Sequence, residues 1–202
     1  MKDGIAQVLV VVDMQNDFVY ERGSLYVHKN DDDNATKDVV GEVCKLIDVG
    51  INWDAVVCTL DTHFGNYQKT LEGEKLPVPH CVYGTWGHEL HDDVKKALDS
   101  TGHYRTVEKN TFGSLDLVDY EIRESLDFEH DVTLPFGTKG GELEIHICGV
   151  CTSICVLANA VLIRAKYPDA KIVVHKDACA DVTNESHEAA LKVLQSQQCE
   201  IV

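Results

Sequence analysis

No apolar run in this chain approaches the length of a membrane span. No second CxxC pair accompanies Cys148 and Cys151, which weighs against a structural zinc cluster. Positive charge is scarce: 18 Lys and Arg stand against 34 Asp and Glu, a formal net charge of −16. That sign repels phosphate backbones and anionic headgroups, so neither nucleic acid nor a membrane is expected as a partner. The apolar run at 8–12 stops at Asp13 and lacks both a basic flank and a small-residue cleavage site. It reads as a strand, not a targeting segment. Eight cysteines in a chain without an export signal point to free thiols in a reducing, cytoplasmic setting. No repeat, low-complexity stretch or linker divides the 202 residues, so one domain over 1–202 is expected.

What is present is alternation. Strand candidates fall at 6–12, 55–60, 103–107, 144–149 and 171–174, with a short one at 200–202. Helical patterns lie between them at 37–49, 91–98, 115–126, 152–166 and 185–197, the last with Asn184 as its expected N-cap. This pattern implies an α/β, Rossmann-like three-layer fold with a mostly parallel central sheet flanked by helices. Ligand sites in such sheets sit at the carboxyl ends of the strands. Asp13, Asp61, Lys109 and Cys151 each follow a strand candidate, so all four are expected at one edge. Long connections at 19–36, 65–91 and 128–141 are of the kind that carry function. The run Asp31-Asp32-Asp33 reads as a solvated loop.

The stretch from Ile147 to Val156 passes from an apolar strand through Gly149 into a helical run, with Cys155 near its start. A cysteine there sits at the positive end of a helix dipole, which favours thiolate, and beside free backbone N–H groups. Taken alone, the blander reading of a small buried hydrophobe is the stronger one. Singly, Asp13 reads as a turn cap and Lys109 as a surface lysine. Together the three suggest a base, a cation and a thiol converging on one point. Asp61 and His63, spaced i and i+2, and His80 offer a carboxylate and two imidazoles, a set that suits zinc, iron or manganese. Asp181 and His187 read as surface residues and receive no role.

Five segments occur in a recognisable order: 13–18 (Asp-Met-Gln-Asn-Asp-Phe), 61–63 (Asp-Thr-His), 79–85 (Pro-His-Cys-Val-Tyr-Gly-Thr), Glu108-Lys109 with 112–114, and 149–156. In them the chain resembles the isochorismatase-like cysteine hydrolases, and most of all their nicotinamidase branch. The resemblance implies a catalytic triad of Asp13, Lys109 and Cys155. It also implies an oxyanion hole from the backbone N–H groups of Cys151 and Cys155, with a cis peptide at Val150–Cys151. It implies a divalent metal, zinc first with iron or manganese as alternatives, on Asp61, His63, His80 and a glutamate. Glu72 is the candidate and Glu74 its rival, because Lys69 stands where many relatives carry a third histidine. Phe18, Val150 and Trp86 are the expected pocket walls, Trp86 either making up for an aromatic replaced here by Pro77 or, as an equal alternative, serving as a structural tryptophan. The implied reaction is hydrolysis of a small-molecule carboxamide through a thioester, foremost nicotinamide to nicotinate and ammonia. An N-carbamoyl or ureidoacrylate-type substrate, or a non-catalytic α/β binding protein, stands as the alternative. Isochorismatase chemistry itself is disfavoured, since that branch lacks the cysteine. A homo-oligomer is an open expectation from the same resemblance.

Overall fold

The computed structural model describes residues 5–27, 39–48, 53–125 and 143–202. Six parallel strands form one sheet: β1 (Ala6–Val12), β2 (Ala55–Asp61), β3 (Arg105–Lys109), β4 (Leu143–Val150), β5 (Lys171–Ala180) and β6 (Glu200–Ile201). Their spatial order is β3-β2-β1-β4-β5-β6, so the chain reverses its direction of travel across the sheet between β1 and β4. That reversal opens a crevice at the strands' carboxyl ends. The helices are α1 (Asn16–Val19), α2 (Val39–Asp48), α3 (Leu71–Lys75), α4 (Asp92–Ser100), α5 (Ile122–Ser125), α6 (Leu157–Lys166) and α7 (Asn184–Ser196). Both α5 and α6 are entered through a widened π-type turn, Leu117–Glu121 and Thr152–Val156 respectively. No helix among the described residues is long and apolar enough to cross a membrane.

β1 is apolar along nearly its whole length because helices cover the sheet on both faces. Val8, Val10 and Val12 pack with Ile147, Val156, Ile163 and Leu194 on one side. Leu9 and Val11 pack with Val43, Ile47, Val94 and Leu98 on the other. Each such side chain removed from water contributes about 1.5–3 kcal/mol, so the strand bearing Asp13 is among the best-anchored parts of the molecule.

Three expectations need correction. Thr183, not Asn184, caps α7: its side chain accepts from the Ser186 N–H, and Asn184 is the first helical residue. A threonine in extended conformation places its hydroxyl over the open turn, which the neighbouring asparagine, already helical, does not. β5 runs to Ala180, well past Val174. The polar stretch His175-Lys176-Asp177 hides the strand in a hydropathy reading, yet after a register shift Cys179 and Ala180 pair with Gly149 and Val150. The connection at 65–91 is built of short elements, two 3-10 turns (Tyr67–Lys69 and Trp86–His88) and α3. Residues 28–36 and 128–141, including Asp31-Asp32-Asp33, lie outside the described residues.

Candidate active site

Asp13 is the first residue past β1 and adopts φ 51°, a left-handed conformation that is uncommon outside glycine and clusters at functional sites. Its carboxylate is fully buried. Oδ1 accepts from Thr59 Oγ1 at 2.6 Å, and Oδ2 lies 2.7 Å from Lys109 Nζ. Lys109 closes β3, and its ammonium also stands 3.7 Å from Asp61 Oδ1 and 3.6 Å from Cys155 Sγ. Cys155 lies in the π-type turn that leads into α6. The peptide between Val150 and Cys151 is cis. Asp13, Lys109 and Cys155, far apart in sequence, thus meet at the crevice.

Burial and charge act against each other here. Burial pushes the Asp13 carboxyl above its ordinary value, and Lys109 offsets only part of that. Burial pulls Lys109 down, but Asp13, Cys155 and Asp61 outweigh it and hold the ammonium charged well above its usual range. For Cys155, burial comes first and the Asp13 anion adds to it; Lys109 opposes both without prevailing. Burial and the neighbouring carboxylate thus work against the thiolate that the helix-start argument favours.

Asp61 ends β2, and its Oδ2 lies 2.9 Å from His63 Nε2 and 3.2 Å from His80 Nε2. Glu72 Oε1 comes within 3.7 and 3.5 Å of the same two nitrogens. Glu74 and Lys69 are exposed, so Glu72 is the glutamate that faces the cluster. His80 Nδ1 lies 2.9 Å from the Val78 carbonyl; donating there turns Nε2 toward the carboxylates, as metal-bound histidines are arranged. His63 Nε2 is buried without a well-aligned hydrogen bond. Burial lowers the His80 pKa, but Asp61 and Glu72 outweigh it and push it up to about 9. Burial raises that of Asp61, yet the two imidazoles and Lys109 hold it well below the usual carboxylate range. Ligand atoms of Asp61, His63 and His80 all lie within 4.8 Å of one another. Two imidazole nitrogens, facing carboxylates and an orphaned buried nitrogen fit a divalent cation.

A cavity of about 260 Å³ joins the two clusters. Cys151 and Cys155 line it, with Asp61, Glu72 and His80 on one wall and Phe18, Val150 and Ile154 among the apolar walls. Its size suits a ligand smaller than a typical drug molecule, for which pockets of about 300–1,000 Å³ are usual. Trp86 is not part of it, which corrects the expectation. Its indole sits in the 3-10 turn beside α1, ring to ring with Tyr20 at 5.4 Å and beneath the Arg22 guanidinium at 4.0 Å. Asn16 Nδ2 fixes that turn through the Trp86 carbonyl at 2.7 Å.

Asp181 and His187, expected on the surface, are buried and grip the turn that carries Cys155. Asp181 accepts from the backbone N–H groups of Ser153 and Val182. Thr152 Oγ1 donates to the Ala180 carbonyl at 3.0 Å and lies 2.8 Å from His187 Nδ1. The missed signal was positional: Asp181 follows β5 as Asp13 follows β1, once β5 is drawn to its true end. Two further supports were named only as motif letters or not at all. Gln15 clasps Asp61 through both its backbone N–H and its carbonyl, at 2.7 and 2.8 Å. Asn159 on α6 accepts from Ser114 N–H at 2.9 Å and donates to the Cys155 carbonyl at 2.9 Å.

The family model described as Isochorismatase domain matches residues 7–202. The isochorismatase family protein PncA of Bacillus subtilis (strain 168) is 29% identical over 197 residues, covering 92% of each chain. A nicotinamidase of Saccharomyces cerevisiae is 28% identical over 185 residues, covering 77% of this chain and 80% of its own. The crystal structure of nicotinamidase/pyrazinamidase PncA from Bacillus subtilis superimposes with a TM-score of 0.74 at 26% identity, covering 98% of this chain and all of that one.

Proposed function

We propose, from the premise that this chain belongs to the isochorismatase family, that it is a cysteine amidohydrolase acting on a small carboxamide, and that nicotinamide is its substrate. The observation that carries this reading is the buried cluster that meets the cavity at Cys155: Asp13 and Lys109 at 2.7 Å, with Lys109 3.6 Å from the Cys155 sulfur. Relatives named nicotinamidase along most of the chain support the choice of amide.

The chemistry follows from the charges. With its pKa raised by burial, Asp13 is a stronger base than an exposed aspartate, which suits it to take the Cys155 proton as the sulfur attacks the amide carbon. Lys109 stays cationic throughout and balances the anion that moves between Asp13, the sulfur and the substrate oxygen. The backbone N–H groups of Cys151 and Cys155 would receive that oxyanion; removing one such donor typically costs about 100-fold or more in turnover. Asp13 then hands its proton to the departing nitrogen, and ammonia leaves a thioester on Cys155. Deprotonating a water, the same carboxylate directs it at the thioester carbon, releasing the acid and restoring the thiol. Asp61, His63, Glu72 and His80 would hold the divalent ion, zinc by donor type with iron or manganese as rivals. When bound, that ion supplies a Lewis-acid contact that orients a ring nitrogen.

The test is ammonia release from nicotinamide by the zinc-restored protein, with Cys155→Ala as the control. Release that Cys155→Ala abolishes supports the reading. Absence of release from nicotinamide and from a carboxamide panel would sink it and leave a binding protein.

A further inference from the structure

The cavity is not closed at its outer end. Glu72, Leu76, Phe112 and Ile154 line it and also line a second hollow of about 650 Å³. Phe64, Tyr67 and Leu71 form the apolar part of that outer groove, and Asn66, Thr70 and Thr111 its polar rim. Three of its apolar side chains are largely solvent-facing: Leu71 is 73% exposed, Phe64 53% and Phe112 51%. Apolar side chains gathered on one surface are uncommon in isolated soluble chains and mark places where something binds.

The wall is built to hold its shape. Tyr67 is buried, and its hydroxyl donates to the Leu76 carbonyl at 2.8 Å. Thr70 caps α3 by accepting from the Gly73 N–H at 3.0 Å. At Gly73 a side-chain carbon would collide with the Tyr67 backbone, so α3 lies directly against the turn before it. A rigid apolar trough that shares its inner rim with the catalytic cavity is a continuation of the substrate site.

We infer that the enzyme accepts aryl carboxamides extended by a second apolar ring, the carboxamide at Cys155 and the extension in the groove lined by Phe64, Leu71 and Phe112. This rests on the amidohydrolase reading and goes beyond it, because nicotinamide alone leaves the groove unfilled. Burial of a phenyl group against these side chains is expected to tighten binding by about tenfold or more.

Calorimetric titration of zinc-restored Cys155→Ala with nicotinamide, and with derivatives carrying phenyl at ring position 5 or 6, tests this apart from catalysis. At least one phenyl derivative is expected to bind about tenfold more tightly than nicotinamide, and Leu71→Asp to reduce that advantage to about threefold or less. Because Leu71 is exposed, that variant leaves the core untouched. If nicotinamide binds and neither derivative binds better, the extended-substrate inference falls and the amidase reading stands. A derivative advantage that survives Leu71→Asp also overturns it. So does a Leu71→Asp protein that changes oligomeric state by light scattering while the binding ratio holds, since the groove then faces another copy of the chain. Failure of every amide to bind removes both readings.

Discussion

Lys109 meets two carboxylates and a thiol from inside the protein, so on the proposed mechanism its charge would serve folding and chemistry at once. Breaking a buried ion pair by removing one partner typically costs about 3–5 kcal/mol, since the remaining charge is left in a poor solvent. Lys109→Met is therefore expected to lose stability of that order in urea unfolding. Its kcat for ammonia release should drop about 100-fold or more. Pairing it with Asp13→Asn removes the stranded anion and should recover much of the stability, though none of the activity. Turnover within about tenfold of the parent protein in Lys109→Met would show that the ammonium is structural only.

At the scale of elements, the turn at Thr152–Val156 depends on the end of β5 and the start of α7. Asp181→Ala leaves the Ser153 N–H without its acceptor and frees the approach to Cys155. The expected result is a kcat lowered about 10- to 100-fold with KM nearly unmoved, because the oxyanion donors shift while the cavity walls remain. Asp181→Asn keeps an oxygen facing Ser153 and should restore part of the loss. An equal loss in both, or a change confined to KM, would assign Asp181 to packing. Asp13 and Asp61 were legible because largely apolar strands end beside them, and Lys109 because its segment carries a recognisable motif despite a polar strand. Asp181 was not, because three polar residues break the β5 pattern before a bulge lets pairing resume. Trp86 misled for a related reason: proximity in sequence to His80 does not survive the 3-10 turn that lays its ring beside α1. The outer groove gave no sequence signal, since Phe64, Leu71 and Phe112 come from three separate loops and short elements.

Across the whole molecule, a second polar chain runs through the sheet away from the catalytic crevice. Lys171 pairs with Glu144 at 2.9 Å, Glu144 with His146 at 3.2 Å, and His146 Nδ1 with His175 Nε2 at 2.8 Å. Burial lowers the His175 pKa to about 4 from the ordinary 6.5, and the neighbouring His146 adds to the effect. Between those two pH values the unfolded chain binds a proton that the folded chain refuses, so stability falls as pH drops from 6.5 toward 4. With its partial exposure discounted, the contribution is on the order of 1 kcal/mol. Urea midpoints at pH 7 and pH 5 should show this loss, and His175→Gln should flatten it. An unchanged pH slope in that variant would place the acid sensitivity elsewhere.

Gly149 adopts φ 116°, and a side-chain carbon there would strike the Val12 backbone. The tips of β1 and β4 therefore touch main chain to main chain, one residue before Asp13 and two before Cys151. On the proposed mechanism, proton acceptor and oxyanion cradle would share a single fused ledge, their mutual spacing set by main-chain packing without any side chain having to hold it.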